Sequence, residues 1–270
     1  MNKFCIITNK SKDPSLEITK RIQAYIKEQG KECIWDDNGK NIPKDVDCIF
    51  VLGGDGTLIR AARELRSADI PMIGINLGTL GYLAEVDVHN IETAIGQIIS
   101  GSFLMEERMM LHGSIADQME DIALNDIVLT RLGTLRVIRF KVYVNGELLN
   151  SYQADGIIIS TPTGSTGYNL SAGGPIVAPT ASMIVLTPIC SHALNTSSIV
   201  LSADDVIEIE IGPGRDGMIE TAGVSFDGDR NVEVHTGDRI RIEKAKDTTK
   251  LLKLSKVSFL EILRKKMKGN

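Results

Sequence analysis

The chain has 270 residues, 43% of them hydrophobic and 24% charged, with a net charge of −5. That length allows one large domain or two ordinary ones. The acidic balance excludes a global basic field for nucleic acid, and no apolar stretch reaches the ~18 residues of a membrane span, so a cytoplasmic protein is expected.

The first hundred residues alternate strand and helix signals. Phe4 to Thr8 is a short apolar run; Asp13 is expected to cap a helix with Pro14 at its first position and Gly30 past its end. Ile18, Ile22, Tyr25 and Ile26 form its apolar stripe. Glu32 to Trp35, Cys48 to Leu52 and Ile70 to Asn76 read as strands. Leu58, Ala62 and Leu65, then Ile91, Ile95, Ile98 and Ile99, mark two more helices. Such alternation implies a parallel sheet covered on both faces.

After about residue 103 short strands dominate. Asn145-Gly146 between Val137 to Val144 and Glu147 to Tyr152 is a type I′ hairpin signal. Further strands are expected at Ile157 to Thr161, Met183 to Thr187, Ile199 to Ser202, Val206 to Ile211, Val232 to Val234 and Arg239 to Ile242. Val206 to Ile211 alternates apolar and acidic residues, so one face is wet. Leu260, Leu263 and Met267 suggest a closing helix that packs back on the first domain, with the basic run Arg264 to Lys268 at its solvated end. The expected division is an α/β domain over 1–102, an all-β domain over 103–248 and a returning segment over 249–270, with a ligand cleft between the domains as the default guess. Cys5, Cys33, Cys48 and Cys190 include no C-x-x-C pair, and the histidines at 89, 112, 192 and 235 show no ligand spacing, so no structural metal is expected.

The stretch Val51-Leu52-Gly53-Gly54-Asp55-Gly56-Thr57 lies between a buried strand and an amphipathic helix. This is where parallel sheets bind ligands, and glycines there let backbone N–H groups approach phosphate oxygens. Neither Walker nor dinucleotide-fingerprint spacing is present. Asp55 would repel a phosphate unless it has its own task. It could hold a Mg²⁺ ion that bridges phosphates, or accept a proton from an attacking hydroxyl. Both mean phosphoryl transfer.

Gly53-Gly54-Asp55-Gly56-Thr57 resembles the signature shared by NAD kinases, diacylglycerol- and sphingosine-type lipid kinases and, more loosely, phosphofructokinases. The rest of the chain chooses among them. Asn76 to Tyr82 resembles the NAD kinase N-x-G-x-L-G-F segment, with Tyr82 in the place of Phe. Leu124-Asn125-Asp126 resembles that family's short Asn-Glu/Asp motif, and Asp155 to Pro175 is similar to its long Gly/Thr-rich motif almost throughout. Thr187 to His192 and Val224 to Gly228 complete the set in order. Two departures stand in one loop: Ser191 where proline is frequent, and Asn195 to Ser198 in place of a segment carrying an arginine.

The resemblance implies a two-domain phosphofructokinase/diacylglycerol-kinase-like α/β fold with an all-β partner domain. It implies an enzyme that phosphorylates the 2′-hydroxyl of the adenosine ribose of NAD with ATP or polyphosphate, with Mg²⁺ accompanying the nucleotide. Asp55 would be the base. Gly53, Gly54, Gly56, Thr57 and Asn76 would line the phosphates, while Asp155, Thr163, Ser165, Thr166, Tyr168 and Ser171 would hold the dinucleotide. By pattern alone Asn125 and Asp126 could be a turn or bulge in a strand, while the resemblance implies a grip on ribose hydroxyls; Asp227 is either a hairpin turn or a carboxylate lining the cleft, and the resemblance favours the cleft. A homodimer or homotetramer is expected, with no nucleic-acid or membrane partner. A lipid kinase of the diacylglycerol type is the alternative; the hydroxyl-rich loops and 4% aromatic content speak against its apolar mouth.

Overall fold

The computed structural model describes residues 1–37, 39, 41–66, 68–78, 81–115, 118–133, 137–192, 197–254 and 257–267, the side chain of Arg230 excepted. Thr79, Leu80, Asn195, Thr196 and Lys268 of the motifs above lie outside the described residues. The chain divides into two compact units, one made of Met1–Glu107 with Thr248–Asn270, the other of Arg108–Asp247.

The first unit opens with β1 (Lys3–Thr8), α1 (Glu17–Glu28), β2 (Glu32–Asp36), β3 (Cys48–Gly53), α2 (Asp55–Glu64), β4 (Met72–Asn76), β5 (Val86–Asp87) and α3 (Ile91–Ile99). Its central strands pair in parallel in the order β4-β3-β1-β2. Every residue of β3 and β4 is buried, as a sheet covered on both faces requires. Phe4, Ile6, Phe50, Leu52, Ile73 and Ile75 pack with the apolar stripes of α1 and α3. On the opposite face Leu58 of α2 lies so close to Gly74 that a Cβ there would collide with it.

One expectation needs correction. Asp13 and Pro14 do not begin α1; the helix starts at Glu17, after Leu16 adopts a left-handed conformation (φ 57°). Asp13 still serves its start, because its carboxylate accepts from Thr19 N (3.0 Å) and Thr19 Oγ1 (2.8 Å). The intervening residues form a turn, and the αL residue at position 16 keeps the helix from extending back to Pro14.

The second stretch carries β6 (Leu104–Ile115), β7 (Met119–Ala123), β8 (Asp126–Arg131), β9 (Ile138–Val144), β10 (Glu147–Ala154), β11 (Gly156–Ser160), α4 (Tyr168–Ser171), β12 (Met183–Ile189), β13 (Ile199–Ser202), β14 (Ile207–Ile211), β15 (Thr221–Phe226), β16 (Asp229–His235) and β17 (Arg239–Lys253). One antiparallel sheet runs β13-β12-β11-β8-β15-β16; β10, β9, β14 and the first part of β17 pair in that order in another. Their inner faces share one core: Ile127, Leu129, Ile157, Ile159 and Phe226 from the first, Phe140, Val142, Ile207, Ile209, Ile240 and Ile242 from the second. Asn145 and Gly146 both have positive φ (51° and 83°), the type I′ geometry expected of the hairpin.

The end of β17 belongs to the first unit. Leu251 pairs with Met72 in β4, and Leu252 is part of that unit's core. Lys253 Nζ lies 2.7 Å from Glu85 Oε2, whose side chain is only 5% exposed, and Leu254 N donates to Glu85 Oε1 at 3.2 Å. The closing helix α5 (Phe259–Met267) sets Lys266 Nζ 4.5 Å from the Tyr82 ring centre.

Candidate active site

In the first unit the residues of interest gather where β1, β3 and β4 end. Gly53 closes β3, Gly54 is extended and caps α2, and Asp55 is the first helical residue. Gly53 is required by packing, since a Cβ there would overlap the buried Thr57 side chain. Asn76 stands opposite Gly53 in the sheet register. Its amide closes a turn, donating to Gly78 O (2.8 Å) and accepting from Gly78 N (3.0 Å).

Asp55 answers part of the question its sequence raises. Oδ2 accepts from Tyr82 N (2.6 Å), and Oδ1 accepts from Leu83 N and Ala84 N (3.1 Å each). The carboxylate therefore holds three consecutive amides of a second loop and is itself fixed by them. With one bond, Oδ2 keeps one of its two lone-pair positions for a further donor. Asp55 lines an open cavity of about 500 Å³ together with Asn9, Lys12, Gly54, Gly56 and Arg60. Lys12 and Arg60 bring two positive charges to this cavity, and neither was singled out from the sequence. A signal existed for Lys12: ligands collect at the carboxyl ends of parallel strands, and the β1–α1 loop is such an end as much as the β3–α2 loop.

In the second unit Leu124 and Asn125 form a bend between β7 and β8, and Asp126 is the first residue of β8. The bend is held from two sides. The Asp227 carboxylate accepts from Leu124 N (2.8 Å), Asn125 N (2.7 Å) and Asp126 N (3.1 Å). Thr161 donates its N–H to Asn125 O (2.8 Å) and its hydroxyl to Leu124 O (2.6 Å). Asp227 also occupies the hairpin position expected of it, with φ 54° before Gly228, while its carboxylate is engaged by these three amides. Two carboxylates from Asp-Gly pairs, Asp55 and Asp227, thus do the same thing in different units: each gathers three successive amides.

This clamp leaves two reactive features. Asn125 Oδ1 is buried and has no hydrogen-bond partner among the described residues. Asp126 is 6% exposed, and burial, assisted by the negative charge of Asp227, pushes its carboxyl up to about 7. Folding therefore favours the protonated carboxyl: the stability it contributes is present below the ordinary carboxylate range and is lost as pH rises through about 7. Replacing Asp126 by Asn removes that dependence. Between pH 5 and pH 8 the stability of the variant relative to the parent should rise by roughly 3 kcal/mol; denaturant titration at the two pH values measures it, and an equal difference at both would refute the assignment.

The Gly/Thr-rich loop divides into inward and outward residues. Ser165 is fully buried and donates to Pro162 O (2.7 Å) while accepting from Val177 N (3.0 Å). Thr163 is buried and accepts from Arg108 Nη1 at 3.4 Å. Gly164 presses on Asn125, where any Cβ would meet the backbone carbonyl. Thr166 is half-buried, whereas Tyr168 and Ser171 are exposed and open to a ligand. Asp155 stands apart. It precedes β11 while the Thr161 loop follows that strand, so about 17 Å of strand separates it from Asp126, the partner of Ser160. There it accepts from Arg131 Nε (2.7 Å) and borders a cavity of about 620 Å³ with Arg139, Gln153, His192 and Glu220.

An open cavity bordered by two cations and a fixed carboxylate at the end of a parallel sheet, and a hydroxyl-rich antiparallel unit with a buried acceptor lacking a donor among the described residues, fit a nucleotide-handling phosphotransferase. Comparison with known proteins agrees. Residues 34–103 match the family model described as the ATP-NAD kinase N-terminal domain, and residues 124–254 match the ATP-NAD kinase C-terminal domain. An NAD kinase of Agathobacter rectalis is 50% identical, covering 100% of this chain and 99% of its own length. One of Lachnoclostridium phytofermentans is 43% identical over 98% and 99% of the two chains. Among solved structures, an NAD kinase from Archaeoglobus fulgidus in complex with ATP superposes with a TM-score of 0.80 at 26% identity, covering 94% of each chain. Yeast NADH kinase complexed with NADH superposes with a TM-score of 0.83 at 23% identity, covering 100% of this chain and 88% of its own, which is a likeness of fold. The chain belongs to the NAD kinase family. Both family models fall on the NAD kinase side of the choice that the Gly-Gly-Asp-Gly-Thr loop leaves open, and not on the lipid-kinase side.

Proposed function

We propose that this protein transfers the terminal phosphoryl group of ATP to the 2′-hydroxyl of the adenosine ribose of NAD, giving NADP. The observation that carries the reading is the bend at Leu124 and Asn125 with Asp126 beside it. A buried amide oxygen without a donor costs roughly 1–3 kcal/mol, and a ribose hydroxyl is a donor that relieves it. Asp126 beside it accepts from a ribose hydroxyl when ionised. The α/β unit, 1–102 with the returning segment 249–270, handles the donor; the all-β unit, 103–248, holds NAD. Thr166, Tyr168 and Ser171 contact the dinucleotide, with Tyr168 as a stacking face. Thr163 and Ser165 act from beneath, by shaping the loop. Asp155 meets the far end of the same extended ligand.

In the reaction, Asp55 Oδ2 takes the proton of the 2′-hydroxyl while the ribose oxygen attacks the γ-phosphorus in line with the departing ADP oxygen. Gly53, Gly54, Gly56, Thr57 and Asn76 shape the turns against which the phosphates lie. A divalent cation, which we take to be Mg²⁺, enters with the nucleotide. Among the described residues bordering the cavity Asp55 is the one carboxylate and its oxygens are engaged by amides, so such a cation would be held chiefly by the phosphates and would supply charge neutralisation there. By resemblance to the family we expect a cytoplasmic homodimer or homotetramer, and polyphosphate as a second possible donor. The test is purified protein with ATP, Mg²⁺ and NAD, with NADP read by an NADP-specific dehydrogenase. Absence of NADP overturns the reading; parallel reactions with polyphosphate and with NADH define donor and acceptor range.

A further inference from the structure

We propose that Lys12 is the cation that grips the phosphate chain of the donor, the part that a lysine inside the loop plays in Walker-type sites. The β1–α1 loop that carries it is fixed on both sides. Asn9 N donates to Leu52 O (2.8 Å) and Asn9 Nδ2 to Thr57 Oγ1 (3.2 Å), which ties the loop to β3 and α2. Lys12 N and Asp13 N donate to Asn9 O, and Asp13 is anchored on Thr19. The exposed side chain then reaches over two glycine turns far apart in sequence. A Cβ built at Gly54 would lie 3.2 Å from Lys12 Nζ, and one at Gly78 would lie 3.3 Å from it. A Cβ at either turn would crowd the ammonium and displace it by a few tenths of an ångström, so the two glycines give it room where it sits.

Among the described residues that ammonium has no ion-pair or hydrogen-bond partner. Arg60 borders the same cavity, and Asp55, the one anion among the described residues that border it, is engaged by three amides. The cavity is therefore net cationic around a compact point charge with three free donors, which suits a linear chain of phosphates. This assignment rests on the donor role proposed for the first unit, and it adds the residue that binds the donor.

The experiment compares the full-length parent with Lys12→Ala, Lys12→Gln and Lys12→Arg. Calorimetry measures binding of ATP, of inorganic tripolyphosphate and of NAD, each alone, and steady-state kinetics follow. Loss of one charge-assisted contact should weaken ATP and tripolyphosphate by about tenfold or more in the Ala and Gln variants, with Arg recovering most of the loss and NAD unchanged within twofold. The KM for ATP should rise in step. ATP binding within twofold of the parent overturns the proposal. So does a loss confined to NAD, which would place Lys12 at the acceptor, or a loss for ATP without one for tripolyphosphate, which would place it at the nucleoside. Because binding is read without turnover, a parent protein that makes no NADP defeats the function reading and leaves these outcomes legible.

Discussion

Asp55→Asn should lower kcat by about 10³-fold, within the range expected for removal of a general base. The substitution separates two tasks that one carboxylate performs. An amide oxygen can still accept N–H bonds, so it preserves part of the contact with the amides of Tyr82, Leu83 and Ala84. It cannot take a proton from a hydroxyl. The expected signature is therefore a collapse of kcat with modest change in melting temperature and in the KM for ATP. Asp55→Ala removes both tasks and should also lower stability by roughly 1–3 kcal/mol, because buried amides lose their acceptor. Near-normal turnover in Asp55→Asn would show that proton abstraction is not its task, even if the clamp is.

Asp227→Ala should destabilise the second unit by roughly 3 kcal/mol and raise the KM for NAD by about tenfold or more. Three amides, those of Leu124, Asn125 and Asp126, lose one shared acceptor. The bend that presents Asn125 would then rest on Thr161, on the Ser160 hydroxyl that donates to Asn125 O (3.3 Å) and on the packing of Gly164. Asp227→Asn provides the finer measurement. It keeps an acceptor but removes a negative charge, so the carboxyl of Asp126 should titrate lower than in the parent, burial alone still holding it above the ordinary range. Carbon-13 NMR of the aspartate carboxyls follows that shift directly; no change would mean that the charge of Asp227 does not reach Asp126. A Asp227→Ala protein that unfolds at the parent's denaturant concentration would refute the clamp.

The architecture was legible in the sequence where periodicity was strong. The β3–α2 junction, the stripes of α1 and α3, the Asn145-Gly146 hairpin and the alternation of β14 follow from spacing that the tertiary structure then reinforces. β6 was not legible. Its first four residues, Leu104 to Glu107, are partly exposed and include two glutamates, and the apolar run behind them breaks the period of two. The start of α1 was misplaced because Pro14 fits a first turn locally, while the left-handed Leu16 that delays the helix has no sequence signature. At the site, residue types were readable and their duties were not. Asp-Gly predicts a turn, and the turn at Asp227 is there; that its carboxylate gathers amides from about a hundred positions away is a fact of β15 lying beside β8. Ser165 and Thr163 look like ligand contacts in a hydroxyl-rich run, yet the fold turns them inward.

The Glu85–Lys253 pair has a consequence for how the molecule is made. A ribosome delivers Glu85 long before Lys253, and domains tend to fold in the order in which they emerge. Here that order is inverted. The unit that starts first cannot set Glu85 against Lys253, nor add Leu251 and Leu252 to its sheet and core, until residues 251–253 have emerged. The interrupting unit, synthesised whole between positions 108 and 247, has all its own strands in hand earlier. The interrupting unit therefore has its strands complete while the first unit still lacks the Leu251 pairing, the Leu252 contact and the Lys253 ammonium beside Glu85.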